Sequence, residues 1–100
     1  YIKNAFFNRP SISLDPKILK EFVGQYELSR DFIITISQYN DHLYAENAGQ
    51  QKVEIFAASS DVFFFKVVDA QITFTRDEKG KVTGLRLFDG HKETLAFKIK

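Results

Sequence analysis

The sequence predicts an all-β protein: a small, eight-stranded antiparallel up-and-down barrel preceded by one short N-terminal helix. Three observations support this fold class. Apolar and polar residues alternate with a period of two through most of the chain after Gly24. Short turn segments interrupt this pattern, and Asn40-Asp41 and Asp89-Gly90 are two-residue hairpin signals. The 100 residues include 11 phenylalanines and no tryptophan, which is typical of a tightly packed or apolar-lined interior.

The N-terminal part of the chain predicts a single helix. Residues 1–14 lack a regular pattern and are expected to be a lead-in or linker, whereas residues 15–100 form the barrel domain. Asp15 is an acidic N-cap, and Pro16 occupies the first helical position. The helix should continue to about Val23 and end at Gly24, and at two turns it must dock on the barrel. The residues expected on its apolar face are Ile18, Leu19, Phe22 and Val23.

Eight segments after Gly24 carry the strand pattern, and the seventh contains an irregularity. Its apolar side chains alternate with a period of two, but the alternation shifts by one residue between Val82 and Leu85. Gly84 lies at this shift, so a β-bulge is expected there. The predicted strands are Gln25–Ser29, Phe32–Tyr39, His42–Glu46, Lys52–Ala57, Val62–Lys66, Ala70–Arg76, Lys81–Phe88 and His91–Ile99. The residues expected to face inward from the last strand are Leu95, Phe97 and Ile99.

Composition and charge exclude several classes of function. The net charge is +1, from 14 basic and 13 acidic residues, so there is no basic excess that predicts a nucleic-acid partner. The chain has no cysteine and therefore no disulfide or thiolate metal site. The longest apolar run, Val62–Phe65, is far shorter than the ~20 residues of a membrane span. A chain that starts at Tyr1 and contains no methionine is expected to be cut from a longer protein.

The sequence offers no catalytic or metal motif. The G-x-S-x-G nucleophile elbow and the S-x-x-K, H-E-x-x-H and P-loop motifs are all missing from the 100 residues. His42 and His91 follow tight turns, where exposed hairpin positions are expected rather than a metal site, and no cofactor is predicted. Asp69 lies between Val68 and Ala70, so its carboxylate could be a buried acid with a shifted pKa. We favour the alternative that it accepts hydrogen bonds from backbone N–H groups at the start of a strand.

Two sets of residues are candidates for binding. Core packing and a ligand cavity are alternative roles for the first set, and the Tyr26 hydroxyl is expected to reach the rim of the barrel. The candidate interior or rim residues are Tyr26, Ile34, Phe63, Phe65, Phe74 and Leu85. The second set lies in the most apolar segment of the chain, where one side chain must be covered from outside the barrel by a partner domain, the lead-in segment or a second subunit. Phe64 and Val62 are therefore the candidate interaction surface.

Four short motifs resemble a known family, and the similarity covers roughly Leu14 to Lys100. They are Phe22-Val-Gly-Gln-Tyr26-Glu-Leu, Leu43-Tyr44, Asp69-Ala-Gln-Ile72-Thr-Phe74 and Gly80-Lys-Val-Thr-Gly84-Leu85. Together they are similar to an uncharacterised lipocalin-like domain that follows the catalytic part of bacterial serine hydrolases related to class C β-lactamases and penicillin-binding proteins.

The resemblance implies a lipocalin-like barrel, an accessory role and a periplasmic or secreted location. In that family the nucleophilic serine and its lysine lie in the hydrolase domain, and nothing in this chain matches them. We therefore expect a non-catalytic domain that packs on the catalytic domain of its parent chain or on a second copy of itself. The alternative hypothesis is a domain that binds a small apolar ligand inside the barrel, which rests on analogy of fold.

Overall fold

The computed structural model describes residues 11–47, 49–90 and 92–100. In these residues eight antiparallel strands follow one another around a closed barrel, and the first strand pairs with the last. The predicted fold class, an all-β eight-stranded antiparallel barrel with one short helix, is confirmed. The strands are β1 (Gly24–Ser29), β2 (Phe32–Tyr39), β3 (His42–Asn47), β4 (Val53–Ala57), β5 (Val62–Phe65), β6 (Ala70–Arg76), β7 (Val82–Asp89) and β8 (Lys92–Lys98).

The helix begins where the sequence predicts but changes type after one turn. The α-helix α1 spans Pro16–Leu19, and a 3₁₀ helix follows over Lys20–Phe22. The Asp15 side chain accepts a hydrogen bond from the backbone N–H of Lys17 at 2.8 Å, which confirms the N-cap. The two short helices together form the segment that closes one end of the barrel.

The change of helix type decides which side chains enter the barrel. Leu19 and Phe22 are buried, whereas Ile18 is 37% exposed, so the prediction that Ile18 faces the barrel is wrong. A 3₁₀ helix has three residues per turn, and residues three apart therefore point in the same direction. The tighter winding after Leu19 aligns it with Phe22 and leaves Ile18 on the outer side.

The predicted bulge at Gly84 is present. The pairing of β6 with β7 skips Thr83, which lies between the paired residues Val82 and Gly84. A Cβ atom at Gly84 would lie 2.5 Å from the carbonyl oxygen of Ala96, so no side chain fits at this position. The extra residue lets Val82 and Leu85 both face the interior, as their burial shows.

The orientation of β8 is opposite to the prediction. Leu95, Phe97 and Ile99 are 54%, 69% and 45% exposed, whereas Ala96 is buried. Ala96 pairs with Leu85 of β7, and residues paired across antiparallel strands point to the same face. Because the bulge has already turned Leu85 inward, the register places Ala96 inside. The more apolar set of β8 side chains is therefore outside.

In the described part of the segment before the helix, Leu14 packs against the main apolar cluster and Ile12 pairs with the end of β4. The backbone N–H of Ile12 donates to the carbonyl oxygen of Ala57 at 2.9 Å and forms an isolated bridge. Residues 1–10 of the predicted lead-in lie outside the described residues, so the boundary between residues 14 and 15 stays a prediction. None of the helices in the described ranges is long and apolar enough to cross a membrane.

Candidate functional site

The helix-capped end of the barrel is filled by aromatic side chains. The Phe22 ring stacks on the Phe74 ring with centroids 4.4 Å apart and meets the Phe63 ring edge-on at 5.3 Å. The Tyr26 ring lies 5.7 Å from the Phe74 ring in a T-shaped arrangement. All four residues are buried. The interior at this end of the barrel is therefore packed by side chains, and a depression of ≈230 Å³ lies beside it, between residues 11–14 and the helix on one side and β3 and β4 on the other.

Tyr26 belongs to this packed end. Its hydroxyl donates to the carbonyl oxygen of Phe22 at 2.8 Å, which satisfies one of the free carbonyls at the end of the helical segment. Burial raises the pKa of the Tyr26 phenol, and the positive charge of Arg76 opposes this effect. The closing helix covers the hydroxyl at this end, so Tyr26 packs at the barrel end, which is one of the two roles expected for it, and its hydroxyl does not open to solvent. Tyr26 is a neutral donor that ties the helix to the barrel.

The opposite end of the barrel contains a cavity of ≈300 Å³. Its lining lies at the ends of the strands remote from the helix. The apolar side chains in this lining include Phe32, Ile34 and Phe65, and Asn47 and Asp89 are among the polar ones. An apolar floor with a few polar groups at the rim is the usual composition of a small-molecule site. We refer to this space as the mouth cavity.

The structure places five of the six predicted interior residues at these two ends of the barrel. Tyr26, Phe63 and Phe74 lie in the packed aromatic end, and Ile34 and Phe65 line the mouth cavity. The remaining residue, Leu85, is buried in the main apolar cluster. Their position in or around the interior agrees with the sequence pattern, whereas a role in ligand binding stays a prediction.

A strip of apolar side chains on the outside of β7 and β8 was missed by the sequence analysis. We define the outer strip as the exposed side chains of Phe88, Leu95, Phe97 and Ile99, which are 42–69% exposed. The alternation within β8 shows that Leu95 and Phe97 share a face, but it does not show which face. Only the register with β7 assigns them to the outside.

The predicted interaction residues differ from this strip. Phe64 is 1% exposed, so it is already covered within the chain and offers no free surface to a partner. It lies outside the main apolar cluster, and its ring is 5.9 Å from the ring of Phe56. Val62 is half-buried beside it on β5. Cover from within the chain is one of the alternatives that the sequence left open, and a role of Phe64 and Val62 in contact with a partner stays a prediction.

Both ring nitrogens of His42 lie next to carboxylates. Nδ1 is 2.5 Å from Glu54 Oε2, and Nε2 is 3.3 Å from Asp41 Oδ1. The hydrogen bond with Glu54, and then the negative charge of this residue, raise the pKa of His42 above its ordinary value. The Nδ1 atom is hydrogen-bonded to Glu54, and the side chain as a whole is about half exposed. The exposed hairpin position predicted for His42 agrees with the structure.

The position of Asp69 differs from the prediction. Asp69 is exposed rather than buried among apolar residues, and its backbone carbonyl, not its carboxylate, accepts a hydrogen bond from Gly90 N–H at 3.1 Å. The carboxylate role predicted for Asp69 is therefore wrong. His91 lies outside the described residues. In the part of the chain that the structure describes, no group of three or more His, Cys, Asp or Glu residues could hold a metal ion.

Comparison with known proteins identifies the family to which this barrel belongs. Residues 8–98 match the family described as a domain of unknown function (DUF3471). The chain belongs to the DUF3471 family. The same chain is 30% identical over 81 residues to penicillin-binding protein 4* of Bacillus subtilis (strain 168). That alignment covers 81% of this chain but only 18% of the relative, so the DUF3471 domain spans less than a fifth of the relative's length.

These findings support the predicted context. A DUF3471 domain with a similar segment in a penicillin-binding protein agrees with the resemblance to domains of β-lactamase-related hydrolases. The outer strip and the mouth cavity are two surfaces of this DUF3471 domain that are open to a partner or a ligand.

Proposed function

We propose that this chain is a non-catalytic accessory domain that packs, through the outer strip, on the serine-hydrolase domain of a β-lactamase-related parent protein. The observation that carries the proposal is the exposure of the outer strip. Soluble domains rarely leave several large apolar side chains together on one face without a partner. The similarity to a short part of a penicillin-binding protein supports a hydrolase as the neighbouring domain.

The surroundings of the outer strip suit a protein interface. Arg86 and Glu93 lie on the same outer face, with their charged groups 3.9 Å apart, and both are about half exposed. An apolar centre with charged residues at its border is the usual arrangement of protein contact surfaces. β8 pairs with β7 from Lys92 to Phe97 and with β1 at Phe97 and Lys98, so at Phe97 both edges of the strand are paired and a partner would contact the side chain.

The size of the strip favours a tethered domain over a second copy. Four exposed apolar side chains are far fewer than the roughly 20–30 residues per partner of a stable interface between separate proteins. A partner on the same chain needs a weaker contact, because a linker gives it an effective concentration of about millimolar. We therefore assign the strip to contact within the parent protein.

The test is to titrate the ¹⁵N-labelled chain with the separately produced hydrolase domain of its parent protein and to follow amide shifts. We expect weak binding that Phe97→Glu reduces by about tenfold or more. Tyr39→Glu is the matched control, since Tyr39 is also 69% exposed but lies at the end of β2. Equal binding by both variants would contradict the proposal. Dimerisation of the chain alone that Phe97→Glu abolishes would assign the strip to a second copy instead.

A second candidate function is the binding of a small apolar molecule in the mouth cavity. Its volume of ≈300 Å³ is at the lower limit of ordinary ligand pockets. Titration with 1-octanol should shift the amides of the lining residues. Ala70→Phe, which adds a ring at this end, should abolish these shifts, whereas Ala58→Phe on the loop between β4 and β5 should not. Unchanged octanol binding by Ala70→Phe would exclude the cavity.

A further inference from the structure

The fold gathers lysines that are far apart in the sequence. Lys20 comes from the 3₁₀ helix, Lys79 and Lys81 from the loop between β6 and β7, and Lys98 and Lys100 from the end of the chain. They line two adjoining surface depressions of ≈390 and ≈410 Å³, which share the residues Lys81, Val82 and Lys98. We call this group the lysine cluster.

The acidic residues in the two depressions are already engaged. Glu21 accepts a hydrogen bond from Arg76 at 2.8 Å. The carboxylate of Asp77 accepts the backbone N–H groups of Lys79 and Lys81, both at 2.9 Å. Within the described residues no ion pair involves any ammonium group of the lysine cluster. Five positive charges therefore face two carboxylates in a chain whose net charge is only +1.

The backbone holds parts of this cluster in place. The Asp77 carboxylate binds two alternate N–H groups of its own loop, and the Gly80 N–H donates to the Asp77 carbonyl at 3.0 Å, which makes a compact turn. The stem of Lys98 lies over Gly24, where a Cβ atom would be 2.6 Å from Lys98 Cε. The left-handed backbone of Gly24, with φ +152°, thus leaves the space that this lysine crosses. The charges are partly preorganised rather than carried on freely moving chains.

We propose that the lysine cluster is a binding site for an anion with several phosphate groups. Ammonium groups are compact point charges without the planar geometry that matches a single carboxylate, so several of them suit a ligand with charge at more than one point. Two adjoining depressions provide places for two or more phosphates. A bound anion also reduces the mutual repulsion of the five lysines. The phosphates come either from a soluble polyphosphate or from the headgroups of an anionic lipid surface.

The first experiment titrates the ¹⁵N-labelled chain with inorganic tripolyphosphate. We expect amide shifts concentrated at residues 79–82 and 98–100, an affinity that decreases with salt, and a raised melting temperature. The double variant Lys81→Gln/Lys98→Gln should bind at least tenfold more weakly. The control Lys17→Gln/Lys92→Gln removes the same charge from exposed positions outside the cluster and should bind like the wild type. Lys79→Gln alone is a further test that leaves the barrel strands unchanged.

The second arm identifies the source of the phosphates. The chain is sedimented with vesicles of phosphatidylglycerol and phosphatidylcholine, with and without tripolyphosphate. Binding to vesicles that Lys81→Gln/Lys98→Gln abolishes, and that excess tripolyphosphate displaces, assigns the site to a lipid surface. Vesicle binding that excess tripolyphosphate leaves unchanged would lie outside the lysine cluster and would contradict the proposal. Binding to tripolyphosphate without vesicle binding assigns it to a soluble anion. Binding to neither probe, or equal loss in the test and control double variants, overturns the proposal.

Discussion

Replacing Phe22 with alanine tests whether the helix is an integral plug of the barrel. The Phe22 ring is 0% exposed, stacks on Phe74 and contacts Phe63 edge-on, while the guanidinium of Arg76 lies 5.3 Å from its ring centroid. Removing a fully buried phenylalanine ring typically lowers the free energy of unfolding by about 3–5 kcal/mol, because transfer energy is lost and a cavity remains. Domains of this size are stable by only about 5–15 kcal/mol in total.

The assay is equilibrium unfolding in urea followed by far-ultraviolet circular dichroism. At a slope of about 1.5 kcal/mol per M, the expected loss lowers the midpoint by about 2–3 M. Phe97→Ala is the matched control, because the same side chain is 69% exposed there and its removal should change stability by no more than about 0.5 kcal/mol. Phe22→Leu, which keeps most of the apolar volume, should cost about 1–2 kcal/mol.

A loss below about 1 kcal/mol for Phe22→Ala, or a loss equal to that of Phe97→Ala, would refute the reasoning. It would mean that the 3₁₀ helix opens in solution and that the packed aromatic end is accessible. The candidate ligand site would then include both ends of the barrel, not the mouth cavity alone.

Three other predictions concern the helix contact, the bulge and the effect of pH. Tyr26→Phe removes the hydrogen bond to the helix and should lower stability by about 1 kcal/mol in urea unfolding; no change would show that water replaces the bond. Gly84→Ala places a Cβ atom against the carbonyl oxygen of Ala96 and should cost about 1–3 kcal/mol, which a thermal melt measures; a neutral result would mean that β8 shifts freely. The raised pKa of His42 predicts a stabilising contribution that is complete below the unfolded value of about 6.5 and is lost as pH rises through the folded value. His42→Gln should therefore flatten the decrease of the unfolding midpoint above about pH 6.5, and a parallel decrease in both proteins would exclude His42 as its cause.

The strand pattern was readable from the sequence because each strand has a local signal. Strand β2 spans Phe32–Tyr39 in both prediction and structure, since alternation within the strand and the Asn40-Asp41 turn define both of its ends. The bulge at Gly84 was also local, because a change of parity next to a glycine is visible in one segment. These features depend on residues that are neighbours in the chain.

The candidate sites were much less predictable. The interior position of Phe63 and Phe74 follows from alternation, but the division of the interior into a packed end and a mouth cavity depends on where the helix docks. The burial of Phe64 depends on what lies over the outer face of β5, which no local pattern records. The same is true of the two carboxylates beside His42, one of which comes from another strand.

The sequence by itself determined the eight strands, the helix start at Asp15 and the bulge at Gly84, because backbone preferences and side-chain alternation act over a few residues. Tertiary structure decided which face of β8 points outward and brought Lys20 beside Lys81 and Lys98. The alternation in β8 is equally consistent with either face, and only the bulged register with β7 selects one. Closure of the barrel then brings lysines that are far apart in the sequence to the same depressions. The net charge of +1 gives no indication of this local excess of positive charge.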